Sequence, residues 1–255
     1  MKLNGLLLQF GVKLASPFFY FGNWNKKTVI HNVDGKAKFK LRVNTSDKLT
    51  LLEVWKTKTY IDQDFNIGKN DTVVDIGANI GAFSILAAKD ASNGKVFAYE
   101  PDKENHDLLL ENKALNNLNN LFVSNSAIAR KKGYINLFIS KLNDGAHSIY
   151  STDSKNSVKV KSITLRDIFA MNNLRKIDYL KIDAEGAEYD ILLNTRPNIL
   201  KRIDKIALEY HDYLSNNHDY TDLVRHLKTN GFNVDICRNA LFRRIFGTGM
   251  IKARR

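Results

Sequence analysis

Four short stretches of the chain carry residue types that can do chemistry. The first, VVDIGANIGAFS at 73–84, is an apolar run that ends in glycines and opens a helical pattern. Gly77 and Gly81 let the backbone turn tightly and approach a ligand, and a helix start there offers unpaired N–H groups. A pyrophosphate-binding turn is spelled G-x-G-x-x-G, whereas this one reads G-A-N-I-G. Asp75, just ahead of the turn, sets a negative charge where an amine is welcome and a pyrophosphate is not. The second stretch, VFAYEPD at 96–102, ends an apolar run on Glu100, placed where a carboxylate can accept both hydroxyls of a ribose. The third and fourth, DYLKIDAEGAE at 178–188 and IALEYH at 206–211, each end an apolar run in acids or histidine.

These residues need a scaffold that brings strand ends together, and the remaining pattern supplies one. Apolar strands are expected at 72–76, 95–99, 121–124, 177–182 and 205–209, alternating with helices at 83–90, 103–115, 164–171, 187–193 and 220–230. That alternation argues for a parallel sheet covered by helices on both faces. Closing strands fit 233–237 and 250–253. Between 134 and 161 two alternating segments read as an inserted antiparallel pair. Ahead of the sheet, 29–61 reads as a hairpin around Asp34 and Gly35 followed by a short helix. The organisation expected is an N-terminal extension over 1–61, with an amphipathic helix and a hairpin, and a catalytic domain over 62–255 with its inserted hairpin at about 133–161. In a doubly wound sheet Asp183, Glu209 and His211 converge on the carboxyl edge.

Taken in order and spacing, Asp75, the glycine loop and Glu100 resemble the cofactor site of class I S-adenosylmethionine-dependent methyltransferases. VDIGANIG, the YEP step, KIDAEGAE and the strand ending in E-x-H narrow the resemblance to the FkbM family, over about 71–211. The resemblance implies an α/β, Rossmann-like, doubly wound and mostly parallel seven-stranded sheet with an antiparallel closing strand. It implies S-adenosylmethionine as cofactor, held by Asp75, Gly77, Ala78, Asn79, Gly81, Phe83, Glu100, Pro101 and Asp183, with Asn125, Ser126 and Ala127 lining the adenine. Asn79 stands where methyltransferase loops commonly have a third glycine. The reaction implied is O-methylation of a sugar, a glycan or glycolipid, or a natural-product hydroxyl. For that chemistry His211, which ordinarily titrates near neutral pH, is the first candidate for general base. Asp183 is the second, with Glu209 beside them. Lys181, Glu185 and His147, the last in a lid-like loop at 142–148, are expected to touch the acceptor. Asp183, Glu209 and His211 can instead hold a divalent ion, although carboxylate and imidazole suit Mg²⁺ or Mn²⁺ only moderately, and the metal-free reading is preferred.

Composition bounds the alternatives. The 255 residues carry 39 Lys and Arg against 27 Asp and Glu, a net charge of +12 that invites a polyanion. Residues 1–42 contribute +7 and 242–255 contribute +5, so the middle of the chain is neutral. No two prolines adjoin, and the single cysteine, Cys237, follows Ile236 rather than proline. The usual signatures of amino-directed and cytosine-ring methylation of nucleic acid are therefore missing, and DNA is not an expected partner. An RNA ribose methyltransferase and a non-catalytic nucleotide-binding module are the alternatives, with RNA the less favoured partner. One cysteine permits no internal disulfide, which points to a reducing, cytoplasmic setting.

Residues 1–22 place Leu3, Leu6, Leu7, Phe10 and Leu14 on one helical face and lysines on the other. Gln9, Lys13 and Pro17 break any membrane-spanning run, and no small-residue cleavage site follows. A helix docked on its own domain fits this pattern, and so does peripheral contact with an anionic membrane surface, at its inner face, where the basic C-terminal tail would add charge. Deleting residues 1–22 is expected to weaken sedimentation with anionic vesicles severalfold; equal binding of truncated and full-length chains would reduce the segment to packing.

Overall fold

The computed structural model describes residues 27–138, 157–215, 217–237 and 247–255. The amphipathic segment at 1–22, His147 and the rest of the loop at 142–148 lie outside the described residues. Strands β1 (Thr28–Val33) and β2 (Ala37–Arg42) form the expected antiparallel hairpin. Its turn uses positive φ at Asp34 (49°) and Gly35 (71°), values that Asp and Gly tolerate. The hairpin is fastened to the helix Lys103–Leu115, because the Lys38 and Lys40 N–H groups donate to the side chains of Asn116 and Asn112.

The principal strands are β3 (Thr72–Ile76), β4 (Lys95–Tyr99), β5 (Leu121–Ser124), then β6 (Ala127–Ile128), β7 (Gly133–Phe138) and β8 (Ser157–Ile163) of the insert, followed by β9 (Ile177–Ile182), β10 (Ile203–His211), β11 (Asn233–Ile236) and β12 (Thr248–Arg254). Seven of them make one sheet in the order β11-β12-β10-β9-β3-β4-β5, with β12 antiparallel to both neighbours and the other pairings parallel. Strands such as β3 and β9 are apolar along their length because helices cover both sheet faces. On one face the hairpin, the helix Asp47–Trp55 and the helix Ala82–Asp90 share a core that includes Phe39, Leu51, Trp55, Ile85 and Leu109. On the other, the helices Leu165–Met171, Ala187–Leu193 and Tyr220–Thr229 bury Ile168, Leu192 and Leu227. The 27–61 segment thus shares a core with the sheet rather than standing apart from it.

The strand order reverses between β3 and β9, since the chain runs outward through β4 and β5 and then returns to the other side of β3. Such a reversal opens a crevice at the carboxyl ends of the two strands. The insert is a three-stranded sheet, β6-β8-β7, not a simple pair; β6 spans two residues, too few to show any periodicity. The short helix Pro197–Leu200 was equally illegible.

The C-terminal cations are not a free tail. Among the described residues, Lys252 and Arg254 lie in β12, which pairs with β10 and β11, and Arg255 follows it. Lys252 is buried and ion-paired with Asp62 at 2.7 Å. Arg255 donates to the carbonyls of Leu200, Ile203 and Asn230 while its guanidinium lies 4.0 Å from the Phe232 ring centroid.

Gly77 shows how closely the loops meet: a Cβ there would stand 1.8 Å from the Asp183 carbonyl oxygen, and φ is +73°. Gly77→Ala is expected to destabilise the fold by at least about 2 kcal/mol in urea denaturation. Wild-type stability would show that the two loops can separate freely.

Candidate active site

The crevice is a cavity of about 400 Å³ at the carboxyl ends of β3, β4, β9 and β10. On the β3–β4 side, Gly77, Ala78, Asn79, Phe83, Glu100 and Pro101 line it, as the sequence predicts. Asn79 takes the left-handed conformation (φ 51°), and its side chain accepts the Ile80 N–H, so asparagine serves here without a third glycine. Its own N–H donates to Glu100 Oε2 at 2.7 Å, and the Asp102 N–H donates to Oε1 at 2.9 Å. Burial nevertheless pushes the Glu100 carboxyl up to about 7, against the pull of those two donors. Asn125 holds this corner from outside, donating to the carbonyls of Glu100 and Pro101.

Four predicted cofactor contacts do not reach the cavity wall. Of the three residues expected to line the adenine, only Ala127 does so, joined by Ile128 and by Leu137 of the insert; Asn125 and Ser126 do not, because Asn125 is spent on the loop and Ser126 is buried beside Ser124. Gly81 turns the chain into the helix with φ +88° against Leu109. Asp75 is fully buried, paired with Lys181 at 3.1 Å and accepting the Ser84 hydroxyl at 2.6 Å. It meets a lysine of its own chain instead of a ligand amine.

Lys181, expected at the acceptor, is correspondingly a structural cation at the cavity floor. Its Nζ donates to the Gly77 carbonyl at 2.7 Å and lies over the Tyr60 ring. Burial lowers its pKa, but Asp75 and Asp183 outweigh that and the net displacement is upward, so it stays charged.

On the β9–β10 side, Asp183, Glu185, Glu209 and His211 all reach the cavity. His211 Nδ1 is 3.0 Å from Glu188 Oε1, which also accepts the His211 N–H at 2.7 Å. Glu188 is itself fully buried, and its other oxygen accepts the Gly186 N–H. His211 Nε2 faces Glu185 Oε2 at 3.6 Å and Asp183 Oδ1 at 4.0 Å. The Tyr60 hydroxyl donates to Asp183 Oδ2 at 2.8 Å; burial holds that phenol well above its ordinary pKa, and Asp183 adds to the effect. The expectation that His211 titrates near neutral pH fails. Burial opposes its charged form, but Glu185, Glu188 and Glu209 prevail and raise it to about 10.

Sequence reasoning did not find Tyr60, Tyr213 and Thr248, which also line the cavity. None sits in a motif. Glu188 was in plain view in KIDAEGAE, but its spacing suggests a helix-start carboxylate, and only β10 reveals that it grips His211.

A glycine loop, a ribose-ready carboxylate and a cluster of acids around the carboxyl edge of a doubly wound sheet define an S-adenosylmethionine-dependent methyltransferase. The cavity fits that cofactor, offering Glu100 for ribose hydroxyls, an apolar wall at Phe83, Ala127 and Ile128, and carboxylates that suit a sulfonium and an ammonium. The family model for the methyltransferase FkbM domain matches residues 75–234, and the chain belongs to that family. It is 24% identical over 247 residues to the 31-O-demethyl-FK506 methyltransferase FkbM of Streptomyces tacrolimicus, covering 86% of this chain and 90% of that protein. It is also 24% identical to the hexuronic acid methyltransferase AglP of Haloferax volcanii, covering 56% of this chain and 57% of that one. Among solved structures, the Methanococcus jannaschii fibrillarin pre-rRNA processing protein superposes with a TM-score of 0.51 at 14% identity, over 92% of this chain and 85% of that one, a likeness of fold. No helix among the described residues is long and apolar enough to cross a membrane.

With its carboxyl pushed up to about 7, Glu100 is expected to make cofactor binding depend on pH. Its ionised form is the better acceptor of two hydroxyls, so affinity for S-adenosylhomocysteine should fall roughly tenfold from pH 8 to pH 6 as the carboxyl gains its proton. Calorimetric titration checks this. A flat profile, or one that persists in Glu100→Gln, removes Glu100 as its source.

Proposed function

We propose that this methyltransferase is O-directed and acts on a hydroxyl of a sugar, a glycan or glycolipid, or a natural product. The observation that carries the reading is the constellation of Asp183, Glu185, Glu209 and His211, opening on the same cavity as the cofactor residues. A sulfonium-bound methyl group supplies the electrophile. The chain's own residues have to align an acceptor oxygen behind it and take the hydroxyl proton. A hydroxyl seated against His211 Nε2 lies between the carboxylates of Asp183 and Glu185, which receive its proton as the new C–O bond forms and the S–CH₃ bond breaks. His211, held as a cation by its neighbours, is the donor that steadies the developing alkoxide rather than the base. Glu188 and Tyr60 are positioning residues: the first fixes the imidazole, the second fixes Asp183.

The names of the two relatives support the O-directed reading, one acting at a demethylated oxygen and the other on a hexuronic acid. Incubating the protein with methyl-labelled cofactor and fractionated host glycans, lipids and small metabolites tests it. Label recovered as an alkali-stable methyl ether of an alcohol is the expected result; label in an amine or a ring carbon would sink the proposal. In the same assay Asp183→Asn is expected to lower kcat about 10²-fold or more at saturating cofactor. Unchanged turnover would remove Asp183 from the chemistry.

A further inference from the structure

We propose that Asp183, Glu209 and His211 form a divalent-cation site that binds Mn²⁺ and, on the O-methylation reading above, presents the acceptor hydroxyl to the methyl group. Among the described residues this is the one group of three acid or histidine side chains that can each offer a ligand atom with all such atoms within 4.8 Å. Glu209 and His211 are buried and Asp183 is partly so.

The spacing is that of ligands around an ion. Oxygen and nitrogen donors about 2.1 Å from one octahedral cation lie roughly 3.0 Å apart when adjacent and about 4.2 Å apart when opposite. Of the three proposed ligands, His211 Nε2 stands 4.0 Å from Asp183 Oδ1, too far for a hydrogen bond and within that span. The imidazole is buried on the cavity wall, and its Nε2 meets the Asp183 and Glu185 carboxylates at ion-pair rather than hydrogen-bond distance.

The orientation of the donors supports the same conclusion by a separate route. A metal-ligating histidine usually gives its second nitrogen to a carboxylate, and ligating carboxylates are themselves hydrogen-bonded from outside. Here Nδ1 is committed to the fully buried Glu188, and Asp183 Oδ2 is committed to the Tyr60 hydroxyl. The atoms left over, Nε2 and Oδ1, face one another across the gap. Charge leads the same way. Asp183, Glu185, Glu188 and Glu209 gather around one imidazole, and the nearest lysine, Lys181, lies closer to Asp75, at 3.1 Å, than to Asp183, at 3.9 Å. Two carboxylates and one imidazole without thiolate accept a hard divalent ion such as Mn²⁺, which oxygen donors suit.

With the ion bound, Mn²⁺ takes the place of the Nε2 proton, so His211 binds it as a neutral imidazole and Asp183 as a ligand. Both give up the donor and acceptor roles they have in the metal-free scheme above, and the acceptor hydroxyl becomes a ligand and a stronger acid. Its proton passes to Glu185, which lies beside the three ligands and outside them, the oxygen takes the methyl group, and the neutral thioether leaves.

The test uses the full chain with S-adenosylhomocysteine present and Mn²⁺ itself as the probe, followed by loss of the free-ion electron paramagnetic resonance signal. One Mn²⁺ per chain is expected, bound at least about tenfold more weakly by Asp183→Asn and by Glu209→Gln, each checked for folding by its thermal transition and its cofactor affinity. Treatment of the wild-type chain with EDTA should leave that cofactor affinity intact and lower methyl transfer at least tenfold, with recovery on adding Mn²⁺. No binding by the wild-type chain up to about 1 mM, equal binding by folded variants, or transfer indifferent to EDTA each overturns the metal site. These outcomes leave the methyltransferase reading in place, which fails separately if the cofactor product does not bind.

Discussion

Asp75 and Lys181 face each other at one register position of β3 and β9, both out of water, and the carboxyl edge of the sheet is organised around that pair. Two buried ions cost a great deal of solvation, and their mutual attraction offsets this only when every remaining donor and acceptor is used. They come close to that. The Ser84 hydroxyl donates to Asp75, and the ammonium reaches the Gly77 carbonyl. The glycine loop is therefore tied from below by a side chain of the neighbouring strand, and from the side by the contact between Gly77 and the Asp183 backbone. The stretch expected to bind cofactor and the stretch expected to do chemistry are fixed relative to each other before either meets a ligand.

From that anchor the site sorts its carboxylates by environment. Asp75 is consumed by structure. Glu100 is buried with two backbone donors and sits near neutrality, poised to accept hydroxyls. Glu188 is committed to His211, and Asp183, Glu185 and Glu209 line the cavity. Lys181 is the pivot between these roles, since its ammonium lies 3.1 Å from Asp75 and 3.9 Å from Asp183. A cavity so rich in carboxylate suits cationic occupants, and a sulfonium cofactor is one of them.

The N-terminal hairpin and its helix contribute more than cover. Tyr60, just beyond the helix Asp47–Trp55, fixes Asp183 through its hydroxyl and packs edge-on against Phe83 at 5.5 Å. The insert does the same from the opposite side, closing the apolar wall with Leu137. Segments outside the seven-stranded sheet thus complete a site whose motifs all lie within it.

The sequence by itself determined the doubly wound sheet, the family and the carboxyl-edge meeting of Asp183, Glu209 and His211, because strand period, glycine spelling and strand-terminal acids are local signals. What it could not express is which atom each side chain spends on which neighbour. That is why Asp75 read as a ligand contact, Lys181 as an acceptor contact and His211 as a neutral base: each reading depends on partners brought near by β-strand register rather than by chain proximity. The same limit hid Glu188 and Tyr60, which lie 23 and 123 residues from the groups they hold. The apparent basic tail met a similar correction among the described residues, since Lys252 became buried once β12 paired between β10 and β11, and Arg255 is bound to backbone carbonyls of the chain itself. Charge and motif are properties of the chain; burial and pairing, which decide what a charge does, belong to the tertiary structure alone.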